Sequence, residues 1–106
     1  DIVIGGCTGA SFDGNLYGGQ NDILIVKFSS DGTWKWTKQH GESGDDCANV
    51  VVVDAADNII SCGHTSSFFI EGSSNSGGYD YWVGKHSSSG TLQWLKLHGS
   101  SSTEYC

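Results

Sequence analysis

A long segment of this chain occurs twice, at a spacing of 58 residues. Residues 19–43 align without gaps with residues 77–101, and 12 of the 25 positions are identical. Repeated units of about 20 to 50 residues each lack a complete core, so they bury their apolar faces against neighbouring units. The repeat therefore predicts an array of like units packed on one another.

The composition favours strands and tight turns over helices. The 106 residues include 16 Gly and 16 Ser and no Pro. Gly and Ser are poor in helix interiors and common in turns. Runs with strand character occupy residues 22–28, 33–39, 48–54 and 58–65. These runs predict an all-β fold with four antiparallel strands per unit, and positive φ angles at Gly32 and Gly90 in the hairpin turns.

The charge and the apolar runs argue against two classes of partner. Twelve acidic and five basic residues give a net charge of −7, and there is no Arg. Such a chain repels a phosphate backbone and lacks the bidentate contacts that Arg makes. No apolar run approaches the roughly 20 residues of a membrane-spanning helix. We expect neither nucleic-acid binding nor membrane insertion by this chain.

The strand runs are apolar at successive positions, as in DILIVKF at 22–28 and VVVV at 50–53. A sheet with one face in water alternates apolar and polar residues instead. We therefore expect sheets that are covered on both faces. Blades stacked around an axis meet that condition, whereas a sandwich usually leaves its outer faces polar.

A motif that extends over most of the repeat is similar to a known family. It consists of a Gly pair, D-x4-K-x4-G-T-x2-W, G-x-S-G-D-D, an apolar run ending in VD, and DN-x4-G-x-T-S. The motif residues are Gly18, Gly19, Asp22, Lys27, Gly32, Thr33, Trp36, Gly41, Ser43, Gly44, Asp45, Asp46, Val53, Asp54, Asp57, Asn58, Gly63, Thr65 and Ser66. This pattern resembles the bacterial-type β-propeller repeat, often called the SBBP repeat. The chain departs from it at His40, Cys47, Cys62 and His98.

The resemblance implies about two four-stranded antiparallel propeller-type blades, which make an incomplete propeller. Residues 1–47 then form a partial blade of three strands without its inner strand. Residues 48–106 form a complete blade and the lead into the next. Propellers typically have about four to eight blades, and unpaired strand edges invite pairing with another chain. We expect a piece of a longer polypeptide, or a subunit that copies or another protein complete.

The four cysteines, Cys7, Cys47, Cys62 and Cys106, lie far apart and show no CxxC spacing. Buried free thiols and one or two disulfides are equal alternatives, because four cysteines allow three pairings. A zinc site is a weaker third alternative. The compartment stays open, although we favour a secreted, cell-surface or organelle-lumen location over the cytosol.

Four side chains are candidates for contact with a ligand or partner: Trp34, Trp82, His64 and His86. Exposed Trp rings stack on sugars or receive another protein. His64 and His86 have no histidine at the matching position of the other repeat and are predicted near strand ends. A structural role is the alternative for each of the two histidines.

Three acidic residues, Glu42, Asp45 and Asp46, are candidate ligands for Ca²⁺, which prefers oxygen donors. We favour the alternative that these carboxylates accept backbone amide hydrogens in their loop. No other cofactor is expected. Neither HExxH nor GxSxG occurs in the sequence, so we expect no catalytic activity.

The sequence thus favours a non-catalytic propeller-repeat segment that acts as a protein-binding or scaffold module. It would be part of a longer chain, such as one period of an extended array or fibre, or an accessory subunit of a larger assembly. One alternative is a carbohydrate-binding propeller module. Another is a fragment of a propeller enzyme with its site in a central channel.

Overall fold

The computed structural model describes residues 1–12, 14, 19–67, 69–70, 73–74 and 78–103. Every regular element in these residues is a β-strand. The strands are β1 (Ile2–Thr8), β2 (Asp22–Phe28), β3 (Trp34–His40), β4 (Asp46–Val53), β5 (Ile59–Thr65), β6 (Phe69–Ile70), β7 (Ser73–Ser74), β8 (Asp80–His86) and β9 (Leu92–His98). The all-β prediction is confirmed. The described residues accordingly contain no helix capable of crossing a bilayer.

The strands form two main antiparallel sheets. Sheet 1 has the order β1-β2-β3, and sheet 2 has the order β4-β5-β8-β9. The short strands β6 and β7 pair with each other and form a separate two-stranded ribbon among the described strands. The main sheets thus hold three and four strands, and neither closes on itself among the described strands.

The strand bounds agree with the predicted runs to within two residues. The run 22–28 coincides with β2, and the run 33–39 is displaced by one residue in β3. Strand β4 begins at Asp46, two residues earlier than predicted, where Asp46 N donates a hydrogen bond to Asn21 O (2.8 Å). The β6–β7 ribbon was not predicted.

The two repeated hairpin turns have the same hydrogen bonding. Gly32 N donates to Ser29 O and Gly90 N donates to Ser87 O, both at 3.0 Å. The φ angles of Gly32 and Gly90 are 88° and 94°. This left-handed conformation is unfavourable for residues that carry a Cβ. The predicted positive φ angles are confirmed.

Sheets 1 and 2 pack face to face around one apolar core. Its buried members are Ile23, Ile25, Ala48, Ile59, Trp82 and Leu95. Since side chains alternate along a strand, only one face of each sheet takes part. In β5 and β8 each residue facing the core is buried and each residue on the other face is half-buried.

Strand β4 lies directly against β1 at the seam between the sheets. A Cβ at Gly5 would overlap the Val51 side chain, so glycine permits the close approach. A disulfide joins Cys7 of β1 to Cys47 of β4, with their Cα atoms 4.7 Å apart. Cys62 is also disulfide-bonded. Of the two main alternatives for the cysteines, the structure shows disulfide formation at these three positions; Cys106 lies outside the described residues.

Gly6 and Gly63 occupy the same repeat position in different surroundings. A Cβ at Gly63 would overlap the carbonyl oxygen of Cys47 on the neighbouring strand β4. A Cβ at Gly6 would have no described atom within 4 Å. The difference arises because β5 has β4 as its neighbour, whereas β1 is the edge of sheet 1.

We expect Gly63→Ala to destabilise the chain by about 3 kcal/mol, because backbone must move to make room for the methyl group. Gly6→Ala is the matched control and should be neutral or stabilise by up to about 1 kcal/mol, since Gly is unfavourable within a strand. Urea unfolding monitored by tryptophan fluorescence measures both. Equal effects of the two substitutions would contradict the assigned strand order.

Candidate functional site

Two histidines meet between the sheets. His40 ends β3 and His86 ends β8, and their Nε2 atoms are 2.8 Å apart. Trp36 stacks near His86, with ring centroids 6.4 Å apart. Because a hydrogen bond between two imidazoles needs one N–H donor and one unprotonated acceptor, this geometry requires at least one neutral ring.

Burial sets the protonation state of His86. His86 is only 1% exposed, and its Nδ1 makes no hydrogen bond to any residue that the structure describes. Desolvation, then the neighbouring His40 and Lys38, lower the pKa of His86 from 6.5 to about 4. His86 is therefore neutral at pH 7, and a proton on its ring would place charge inside the sheet contact.

His86 should make the fold sensitive to acid. Its folded-state pKa of about 4 lies below the ordinary 6.5, so the neutral ring's stabilisation is complete above about pH 6.5 and is lost as the pH falls toward 4. The shift corresponds to about 3 kcal/mol over that range. We expect His86→Phe to flatten this part of the stability profile, measured as urea midpoints from pH 7 to 4.

The matched control is His98→Phe, which removes an exposed histidine at the end of β9. Carboxylates also titrate in this range, so the quantity of interest is the difference between each variant and the parent chain. If the parent, His86→Phe and His98→Phe chains all lose the same stability between pH 7 and pH 4, His86 is ruled out as the source of the acid sensitivity.

Polar contacts also fix how the two sheets are placed. Lys27 Nζ and Trp36 Nε1 of sheet 1 both donate to Ser88 O in the β8–β9 turn, at 2.9 and 3.1 Å. Lys27 is 5% exposed, and its ammonium is 3.5 Å from a carboxylate oxygen of Asp1. A buried ammonium needs such partners. These two donors therefore specify the position of the opposite turn.

The predicted acidic loop is part of the internal hydrogen-bond network. Asp46 is fully buried. Its Oδ2 accepts from Glu42 N (3.0 Å) and from Ser67 Oγ (2.9 Å), and its Oδ1 accepts from Thr65 Oγ1. Both oxygens are thus engaged in closing the loop onto the end of β5.

Asp45 links the two repeats. Its Oδ1 accepts from Asn21 Nδ2 (2.7 Å) and its Oδ2 accepts from Tyr79 OH (3.1 Å). Asn21 and Tyr79 stand at the same repeat position. Among the described residues, no group of three His, Cys, Asp or Glu side chains is placed to hold a metal ion. Of the predicted Ca²⁺ ligands Glu42, Asp45 and Asp46, the structure gives Asp45 and Asp46 hydrogen-bonding roles within the chain, whereas Glu42 is exposed and contributes its backbone N–H to Asp46.

His64 lies beside this network. Its Nδ1 is 2.9 Å from Asn49 Oδ1, its Nε2 is 3.9 Å from Asp45 Oδ2, and its ring meets Tyr79 edge-on at 5.4 Å. His64 is half-buried. It lies at the far end of its strand from the position paired with His86 and on the opposite face of sheet 2, so the structure does not bring the two together.

The four predicted binding residues separate into two groups. Trp34 is 52% exposed and His64 is half-buried, so both are accessible. Trp82 is fully buried, with its Nε1 donating to Cys47 O (3.0 Å), and His86 is also buried. Trp82 and His86 must therefore be corrected from surface contact residues to interior ones. Both alternate onto the core face of β8, which the sequence alone did not orient.

Each sheet keeps one face outside the sheet contact. We define the free face of sheet 2 as Ile60, Tyr81, Val83, Lys85, Trp94 and Lys96. We define the free face of sheet 1 as Ile2, Ile4, Leu24, Phe28 and Trp34. These side chains are half-buried or exposed, including Trp94 at 41% and Ile4 at 51%. On the same face of sheet 1, however, Val26, Thr37 and Gln39 are buried. On the same face of sheet 2, Cys62 is disulfide-bonded. Sequence reasoning named Trp34 on the free face of sheet 1 as a contact residue but missed the other members of both faces, although the repeat contained the signal.

A crevice of about 110 Å³ opens where the turn ends of the two sheets meet. It is lined by Asp1, Val3, Lys27, Val53, Asp57 and Ile59. Pockets for small organic ligands are typically about 300 to 1,000 Å³. This crevice is too small for such a ligand, so the sheet faces are the stronger candidates for binding.

The chain matches no protein-family model, and no curated protein is significantly similar to it.

Proposed function

We propose that the chain is a non-catalytic β-propeller repeat segment that acts as a protein-binding or scaffold module. It serves as part of a longer chain or as an accessory subunit of a larger assembly. One observation carries the proposal: matched repeat positions are covered in one repeat and uncovered in the other. Ile59 is fully buried and its counterpart Ile2 is 49% exposed; Trp36 is half-buried and its counterpart Trp94 is 41% exposed. Exposed apolar patches of this kind favour contact with protein.

The edge of β1 supports the same proposal. Gly63 is required because β4 runs beside it, yet Gly6 stands at the matching position with open space. An additional inner strand beside β1 would occupy the space next to Gly6, as β4 occupies the space next to Gly63. The proposed module therefore binds a partner strand along the edge of β1 as well as partner surfaces on its two sheet faces.

The segment after β9 supports a repeating arrangement. After β3, Asp45 pairs with Asn21 in an isolated β-bridge as the chain passes from sheet 1 into β4 of sheet 2. Asn21 and Asp45 match Tyr79 and Thr103 of the second repeat. After β9, Thr103 Oγ1 accepts from Tyr79 N (3.4 Å). Residues 99–103 thus follow a course like that of residues 41–45, which leads toward the inner position of a neighbouring sheet.

The family and the compartment belong to the same proposal. The motif similarity to the SBBP repeat favours propeller-type blades, and the two face-packed antiparallel sheets are compatible with them. Disulfides persist mainly in oxidising compartments. The Cys7–Cys47 disulfide therefore favours a secreted, cell-surface or organelle-lumen location.

Hydroxyl-radical footprinting of the native material against the isolated 106-residue chain tests the proposal. We expect Ile2 and Trp94 to be oxidised in the isolated chain and protected in the native material, because another protein covers them there. Trp82 is buried and serves as the internal reference that is protected in both samples. Equal oxidation of Ile2 and Trp94 in both samples would sink the proposal.

A carbohydrate-binding module is the second candidate, favoured by the exposed ring of Trp34. The indole is 52% exposed and its Nε1 donates to Thr37 Oγ1 (2.9 Å), which holds the ring in place. If this candidate is right, a glycan array should show binding that Trp34→Ala weakens by about tenfold or more, a loss typical of one stacked ring. Trp94→Ala is the matched control. Binding that survives Trp34→Ala would exclude Trp34 as the sugar platform.

A further inference from the structure

We propose that the free face of sheet 2 binds the free face of sheet 1 of a second copy of this chain, so that copies associate head to tail. The inference rests on the proposed function and names the partner of the exposed faces. Its basis is that the chain already contains one contact of this type, between its own two sheets. The repeat places a second set of the same surfaces on the outside.

The free face of sheet 2 matches the face of sheet 1 that is already covered. Tyr81 and Val83 stand at the repeat positions of Ile23 and Ile25, which are fully buried in the core. On the neighbouring strands, Lys38 and His40 are half-buried, whereas their counterparts Lys96 and His98 are exposed. The free face of sheet 2 therefore resembles the face of sheet 1 on which sheet 2 packs.

The free face of sheet 1 resembles the face of sheet 2 that packs on sheet 1. Ile2 stands at the position of Ile59, which is 0% exposed, and Trp34 stands at the position of Leu92, which packs on the core. Ile2 and Trp34 are 49% and 52% exposed. We therefore expect the free face of sheet 1 to pack on the free face of sheet 2 as the two covered faces pack on each other.

The polar contacts that orient the covered faces have counterparts too. Lys27 and Trp36 donate to Ser88 O across the existing contact. The matching donors are Lys85 and Trp94, and the matching carbonyl is that of Ser30 in the β2–β3 turn. In the proposed contact, Lys85 and Trp94 of one copy reach Ser30 O of the next.

The turns show the same pairing. A Cβ at Gly90 would be 3.0 Å from the Trp36 and Lys38 side chains, since the β8–β9 turn is pressed on sheet 1. A Cβ at Gly32, in the matching β2–β3 turn, would have no described atom within 4 Å. In the proposed contact, the β2–β3 turn at Gly32 of one copy lies on Trp94 of the other.

The contact between copies is not an exact copy of the internal one. Thr37 and Gln39 of sheet 1 stand where sheet 2 has Leu95 and Leu97 in or against the core, and Cys62 on the free face of sheet 2 is disulfide-bonded. His64 stands where the internal contact has Cys7, so the position of the Cys7–Cys47 cross-link is not reproduced. Each copy carries a net charge of −7, so the copies repel one another at low ionic strength. The association is therefore reversible and strengthens with added salt.

Sedimentation velocity of the purified 106-residue chain, with variants that block one face each, tests the proposal. Ile4→Glu places a charge on the free face of sheet 1, and Trp94→Glu places one on the free face of sheet 2. Ala56→Glu adds the same charge in the exposed β4–β5 turn as a matched control. We expect the parent and Ala56→Glu chains to form species larger than the 11.2 kDa monomer as concentration rises.

Each blocked variant alone should stay monomeric, and a mixture of the two should form a heterodimer and nothing larger. This follows because a head-to-tail contact uses different surfaces on the two partners, and each variant retains one of them. If Trp94→Glu does not fold, Lys96→Glu blocks the same face at an exposed position. A blocked variant that still dimerises alone would show a contact through like faces and overturn the proposal.

A parent chain that stays monomeric at about 1 mM would also overturn it, since no useful affinity between copies would then exist. Protection of Trp94 by a different protein in the native material would leave the proposed function standing in that case. The two experiments therefore separate failure of the partner assignment from failure of the binding module.

Discussion

The packing of one apolar sheet face on another is the contact on which the rest of this chain depends. Ile23, Ile25 and Ile59 lose all solvent exposure in it. Full burial of such a side chain stabilises by about 1.5 to 3 kcal/mol. A single contact, however, covers only one face of each sheet, and strands that are apolar at successive positions have a second face to cover. That mismatch accounts for the exposed side chains on both outer faces.

The polar groups within the contact limit how the sheets can be arranged. Lys27 and Trp36 converge on one carbonyl, that of Ser88, so sliding the sheets would leave a buried ammonium without its acceptor. The contact between His40 and the neutral ring of His86 imposes a similar condition at another place. The Cys7–Cys47 disulfide holds β1 to β4 at the seam. Apolar burial thus provides the attraction, and these few groups provide the geometry.

Much of the fold was predictable because the repeat shows local signals twice. The strand β2 and the positive φ angles at Gly32 and Gly90 follow from short apolar runs bounded by turn residues. The candidate site was less predictable. Trp82 and His86 were expected to reach a ligand and are buried instead, because alternation along β8 defines two faces without saying which one meets sheet 1.

The sequence by itself determined the all-β class, the predicted strand runs to within two residues, the hairpin turns and the existence of two like units, because these depend on neighbours along the chain. Only the tertiary structure decided which of two matched residues is covered, as with Ile59 and Ile2, or which of two matched glycines is indispensable, as with Gly63 and Gly6. The physical reason is that burial and steric fit depend on what lies across a sheet or beside a strand. Identical repeat positions acquire different roles when only one of them has a neighbour.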